Sequence, residues 1–241
     1  VHPASPTGPP PMSFPPPPMP VRPIRGLGTA FLALLAADVV VEVVAGLIGV
    51  GYIDLLDRLI ADPLAVEDAE IERGDLLYSL SGLAEFAAAV TCGVVFLVWL
   101  FRARANAEAL SPWPHRRAKP WLVFGWFVPI VGWWIPKQIV DDIWNASLPG
   151  AADQPLTVAP RPGLVRGWWA AWLAGSWISH VAARLLRKDD LESLRSGAWF
   201  DLVGIGLWII AAALVAVVVR RITRSQEERL RAPAAHPYPA A

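Results

Sequence analysis

Lys119 to Lys137 reads KPWLVFGWFVPIVGWWIPK. The 17 residues between the two lysines carry no charge, and about 17 is the shortest apolar run that crosses a bilayer as a helix. The same run holds Pro120, Pro129 and Pro136, two glycines and four tryptophans. Whether it crosses, dips into the bilayer or lies on it decides how the rest of the chain threads.

Four other runs are simpler. Gly26 to Ile53 is apolar apart from Thr29, Asp38, Glu42 and Tyr52, and Leu76 to Phe101 contains one charge, Glu85. Gly167 to Leu186 has only His180 and Arg184 as ionisable groups, and Gly197 to Val219 has only Asp201. At about 1.5 Å per residue each run matches a hydrocarbon core of about 30 Å. The expectation is an all-α integral membrane protein with transmembrane helices at about 27–53, 76–101, 167–186 and 197–219. A signal peptide is the competing reading of the first run, but that run continues far beyond the 7–15 apolar residues of a signal core.

Sidedness follows from arginine and lysine near the runs. Arg22 and Arg25 precede the first. The loop 102–119 carries Arg102, Arg104, Arg116, Arg117 and Lys119 against Glu108, and the region after the last run carries Arg220, Arg221, Arg224, Arg229 and Arg231. The loop 54–75 has eight acids and two arginines. Both termini and the loop 102–119 are therefore expected in the cytoplasm, with the acidic loop outside as a solvated segment. It lacks the alternating spacing and central glycine of a calcium loop.

Parity then constrains the opening stretch. Two crossings separate it from the C-terminal arginines, so it contributes an even number itself. Pro129 removes a backbone donor mid-segment, which suits a break. The expectation over 120–146 is a re-entrant or interfacial segment displaying Trp121, Trp126, Pro129, Trp133, Trp134, Pro136 and Trp144. From Pro136 onward, Ile139, Val140, Ile143 and Trp144 share one face opposite Asp141, Asp142 and Asn145, the pattern of a helix lying in the membrane interface. Trp113, Trp121, Trp168 and Trp169 fall where an inner aromatic belt belongs, and Trp199 at the outer one.

The flanks differ in kind. Residues 1–25 form a proline-rich tail, with 11 prolines in the first 23 residues, expected to be disordered, either as a spacer or as a docking site for a protein partner. Residues 26–222 form the polytopic domain, and 223–241 a cytoplasmic tail.

Ionisable groups inside membrane helices are costly and are functional candidates by default. Six qualify here: Asp38, Glu42, Glu85, His180, Arg184 and Asp201. Counted along the helices, Glu42, Glu85, His180 and Asp201 converge in the outer half of the bundle, a set suited to proton relay or cation binding. The alternative is a structural network with Arg184 paired to Asp201. The one cysteine, Cys92, excludes an intrachain disulfide and reads as a helix-packing residue. The formal net charge of zero gives no field for nucleic acid. No nucleophile motif, phosphate loop or metal motif occurs, so no cofactor, metal or enzymatic activity is expected. The lipid bilayer is the one partner that the composition requires, and no feature specifies an oligomeric state.

The blocks FRARANAEAL, GWFVPIVGWWIPKQIVDDIWNAS, VRGWWAAWL and VRRITRSQEERL together resemble the bacterial, mainly actinobacterial, membrane proteins grouped as domain of unknown function 4328. The resemblance spans about residues 27–230 and is most specific over Gly125 to Trp144. It implies a multi-pass membrane protein and assigns no activity or catalytic residue. The leading functional expectation is a non-enzymatic scaffold or envelope-associated interaction module in the cell membrane. The alternative is a small ion, proton or metal transporter or channel subunit built on the intramembrane carboxylates and His180.

Overall fold

The apolar runs form helices that extend well past the hydrocarbon length. In the computed structural model, which describes residues 21–151 and 153–231, α1 spans Arg25–Ala61, α2 Asp68–Leu110, α3 Trp121–Phe127, α4 Ile135–Ser147, α5 Gly163–Leu185 and α6 Leu191–Arg231. Single 3-10 turns sit at Pro63–Ala65 and Val131–Trp133, and the described residues contain no strand. The 37 residues of α1 make a rod of about 55 Å, so its ends stand clear of any bilayer core. The acidic stretch expected as a loop is therefore mostly the ends of α1 and α2, and the expected tail 223–241 is helical as far as Arg231. The expected disordered tail 1–25 lies outside the described residues as far as residue 20. Its last residues are held in place, and Arg25 already begins α1.

Proline sets the breaks. Helix α2 ends where Ser111-Pro112-Trp113-Pro114 begins, and α5 starts directly after Pro160-Arg161-Pro162. A proline lacks the N–H and pushes its predecessor out of the helical region.

Three helices, α1, α2 and α6, are both long and apolar enough to cross a membrane, and the bent pair α3 and α4 brings the total to four at most if it counts as one span. Helix α5, expected as a crossing, has the length, about 35 Å over 23 residues. Its apolar character is diluted by four tryptophans, two serines, a histidine and two arginines. It packs along the whole bundle through α6, which in turn packs on α1, and α1 on α2. The lateral order is α2–α1–α6–α5. Helices α2 and α5 meet through Phe96 and Trp168, with ring centroids 6.3 Å apart, and share no extended packing, so the bundle is open along most of that side.

Close approach relies on glycine at particular crossings. A Cβ on Gly28 would stand 2.8 Å from Thr223 Oγ1 across the α1–α6 contact, and one on Gly197 would meet Leu186 at 2.8 Å where α5 turns into α6. Gly175 faces Leu207 and Trp208, whereas Gly93 faces open space.

The stretch Lys119–Lys137 turns back. Helix α3 and the limb Val131–Ser147 meet at 108°, and both far ends lie at the arginine-rich end of the bundle. Lys119, just before α3, pairs with Glu108 near the end of α2 (3.0 Å), and Arg229 of α6 donates to the Leu148 carbonyl just after α4 (2.9 Å). At the tip, Ile130 has φ 67° and ψ −55°, and the Val131 N–H donates to the Pro129 carbonyl at 2.7 Å. This is the rarer, positive-φ form of the γ-turn, strained for a β-branched residue. Ile130→Gly should release about 1–3 kcal/mol of strain, while glycine's extra freedom costs about 0.5–1 kcal/mol. A thermal midpoint above wild type is expected. A lower one would show that the Ile130 side chain contributes more than the turn costs.

Helix α4 corrects the sequence-based picture. Eleven of its residues are buried, Asp141 and Asp142 among them, so it is a plug in the bundle end rather than a float in the interface. Its apolar face meets α2, α5 and α6, and its acids are met by basic side chains of its own first turn and of the loop 111–120. Lys137 Nζ reaches Asp141 at 2.6 Å, and Arg116 reaches Asp142 at 2.6 Å. Beside it, the fully buried Gln226 donates to the Ala103 carbonyl and to Ser147 Oγ, and accepts from Asn106. Those bonds tie α6 to α2 and α4.

Candidate functional site

The turn of α3 and the gap between α2 and α5 leave a cavity of about 660 Å³ inside the bundle, lined from all four long helices. Asp38 and Glu42, one turn apart on α1, face it together. Glu85 enters from α2 and Asp201 from α6. No arginine, lysine or histidine lines it. Buried oxygens Asp38 Oδ1 and Glu85 Oε1 have no hydrogen-bond partner. Unpaired polar oxygens in an interior are expensive unless something charged or polar completes them.

Asp201 is held differently. Its Oδ2 accepts from the Tyr78 hydroxyl at 2.8 Å. Tyr78 stacks on Tyr52 at 4.4 Å between ring centroids, and the Tyr52 hydroxyl donates to Asp75 at 2.8 Å. A polar file thus runs from Asp75 near the acidic end to the cavity wall. The sequence reading missed both tyrosines. Tyr78 lies seven residues before Glu85, on the same helix face, and that spacing was the available signal.

The opposite end of the cavity is aromatic. Trp126 from the re-entrant limb, Trp168 and Trp172 from α5 and Trp208 from α6 line it with Phe31 and Phe96. Trp126 meets Trp172 edge-on at 5.8 Å and Phe96 at 5.7 Å. Trp208 Nε1 donates to Ser179 Oγ at 3.2 Å. Trp168 and Trp169, expected in an interfacial belt, are buried instead. Trp169 stacks on Trp172 at 4.7 Å and donates from its indole to the Trp133 carbonyl at 2.7 Å. A bent backbone at membrane depth needs such cover, because lipid cannot satisfy its polar groups.

The expected convergence is therefore partly met. Glu42, Glu85 and Asp201 come together and Asp38 joins them, but His180 and Arg184 do not. Both line a separate cavity of about 400 Å³ beside the tip Val128–Ile130, with Trp133 and Trp177. Arg184 forms no ion pair with Asp201, whose partner is Tyr78. Cys92, expected as a helix-packing residue, is buried in the core and also borders the main cavity. Of the re-entrant residues, Trp121 is half-buried, Pro129 is at the tip, and Trp133 and Trp134 are exposed. Pro136 is buried in the first turn of α4, and Trp144 is buried beneath the Arg221 guanidinium, 5.9 Å from its ring centroid. Among the described residues, no three histidine, cysteine or carboxylate side chains meet in a way that could hold a metal ion.

Fold and cavity together define a helical bundle of membrane-spanning type with an acidic, aromatic-floored chamber. The family model of domain of unknown function 4328 matches residues 62–224, and the chain belongs to that family. Neither the curated proteins nor the solved structures contain a match. The matched stretch includes Glu85, Asp201 and the re-entrant limb, while Asp38 and Glu42 lie before it.

Proposed function

We propose that this chain is a non-enzymatic, multi-pass protein of the cell membrane whose chamber binds an amphipathic organic cation drawn from the bilayer, as the binding step of a transporter or membrane receptor. The observation that carries this is one cavity with four carboxyl groups, no basic side chain and a tryptophan floor. Carboxylates supply counter-charge, which counts for more at low dielectric, and indole faces attract a cation directly. A spread-out charge suits a chamber in which no three ligands converge on a point. The open side between α2 and α5 gives a route from lipid that a sealed bundle lacks. Both termini are cytoplasmic on this reading, supported by the arginines gathered at that end of the bundle. The scaffold role also expected from the sequence would use the proline-rich tail, most of which lies outside the described residues.

Because Trp126, Trp168, Trp172 and Trp208 line the chamber, their fluorescence reports its occupancy. Titrating the purified full chain in nanodiscs with tetraphenylphosphonium should give saturable quenching. Glu85→Gln together with Asp38→Asn should weaken it about tenfold or more, as expected for the loss of intramembrane counter-charges. Equal, non-saturating quenching in both proteins would remove the basis for cation binding and leave the scaffold role as the better reading.

A further inference from the structure

A second site lies at the arginine-rich end, outside the chamber. A groove of about 570 Å³ runs between α1 and α2, lined by Leu27 on one side and Val98, Phe101, Ala105 and Asn106 on the other, with Arg22 and Arg102 at its mouth. We propose that this groove is a binding site for one anionic phospholipid, with its phosphodiester between the two guanidinium groups and an acyl chain along Leu27, Val98 and Phe101.

The apolar part is open to the surroundings, since Val98 is 49% and Phe101 43% exposed. Arg102 follows directly on the apolar run of α2, at the height where lipid phosphates sit. No acidic side chain lines the groove. A cationic rim above an apolar trough complements a molecule that is anionic at one end and hydrocarbon at the other. Basic pockets between spanning helices bind anionic headgroups on this physical ground.

The mouth is built rather than incidental. Buried Asn106 uses its whole amide on this segment and its neighbour. Its Oδ1 accepts from the Arg22 N–H at 2.9 Å, and its Nδ2 donates to the Arg22 carbonyl at 2.8 Å and to Gln226 Oε1 at 3.1 Å. Glu227 of α6 accepts from the N–H groups of Ile24 and Arg25 at 2.8 and 3.0 Å. The residues ahead of α1 are thus clamped by α2 and α6, which fixes the Arg22 backbone at the rim of the groove. Arg102 donates to the Pro23 carbonyl at 3.4 Å, which ties the second arginine to the residue that follows Arg22, and both line the same groove. The clamp uses the backbone of Arg22, so replacing its side chain leaves the fold's tie intact.

Native mass spectrometry of the full chain, delipidated and then returned to phosphatidylglycerol or phosphatidylcholine nanodiscs, counts the lipids that stay bound. One phosphatidylglycerol should be retained where phosphatidylcholine is not. Arg22→Gln with Arg102→Gln should weaken that retention about tenfold or more. Arg220→Gln with Arg224→Gln, at the same end but outside this groove, should leave it unchanged. Inorganic phosphate at millimolar concentration should not displace the lipid. Equal retention of both lipids overturns the proposal, as does equal loss in the two double variants, which would mean diffuse attraction. Displacement by phosphate would also overturn it, by making the site one for a free anion.

Discussion

Asp142→Ala is expected to lower stability by about 3–5 kcal/mol, the range for breaking a buried charge pair by removing one partner. Asp142 is fully buried. Its Oδ2 accepts from the Arg116 backbone N–H at 2.8 Å, and its Oδ1 accepts from Arg116 Nε at 2.7 Å. Alanine leaves a half-buried cation without its counter-charge and an N–H without an acceptor. Arg116 retains some access to water, which pulls the effect toward the lower end of the range. Asp142→Asn preserves an acceptor and should cost about half as much. The exposed pair of Arg58 and Asp54 sets the scale, since Asp54→Ala should cost no more than about 1 kcal/mol. Thermal unfolding in detergent measures all three. A second readout is specific to the place: the loop 111–120 should detach from α4 and become cleavable by trypsin after Arg116 and Arg117. An Asp142→Ala protein that unfolds with wild type and resists trypsin would show that α4 is held by its apolar face alone.

That apolar face was legible in the sequence; what covers the polar one was not. Ile139, Val140, Ile143 and Trp144 give a helix its stripe, but periodicity says only that two faces differ. It does not say whether the polar face meets water or a partner. The partner was present in the sequence as Arg116 and Arg117, which invited reading for sidedness rather than for pairing. Arg117 Nε in fact donates to Gln138 Oε1 at 2.8 Å, beside the Arg116–Asp142 pair. The sharp bend within Lys119–Lys137 was legible because Pro129 removes a backbone donor in mid-segment. The cavity was half legible for a geometric reason. Residue counting gives height along a helix but not azimuth, so His180 has a suitable height and the wrong direction. Its neighbours Ser179 and Ala183 face the chamber, while His180 and Arg184 face the re-entrant tip. Asp38 is the converse case, outside the four that converge by height and yet on the same helix face as Glu42, one turn away.

The same bundle end should make the protein acid-sensitive through His115. This residue lies in the loop 111–120, outside the spanning segments, and neither of its buried ring nitrogens has a hydrogen-bond partner. Burial is the main cause that holds it far below its ordinary value of 6.5, down to about 4, with the Arg104 and Arg116 charges adding to it. Asp142 and Glu108 act the other way and do not prevail. The sign follows from proton counting. Between pH 6.5 and about 4 the unfolded chain binds a proton at this histidine that the folded chain refuses. Stability should therefore be independent of this group above 6.5, fall as pH drops through that window and level off below about 4. The full loss is about 3 kcal/mol at most, and less in practice because the ring is only partly buried. His115→Gln removes the titration, so the difference in melting temperature between variant and wild type should grow as pH is lowered from 7.5 to 4.5. Subtracting one curve from the other cancels the carboxylates common to both proteins. Asp142 is the strongest nearby charge favouring the protonated ring, so in the Asp142→Asn background the fall owed to His115 should continue to lower pH. Parallel curves for wild type and His115→Gln would mean that the loop opens to hydrate the imidazole before it titrates.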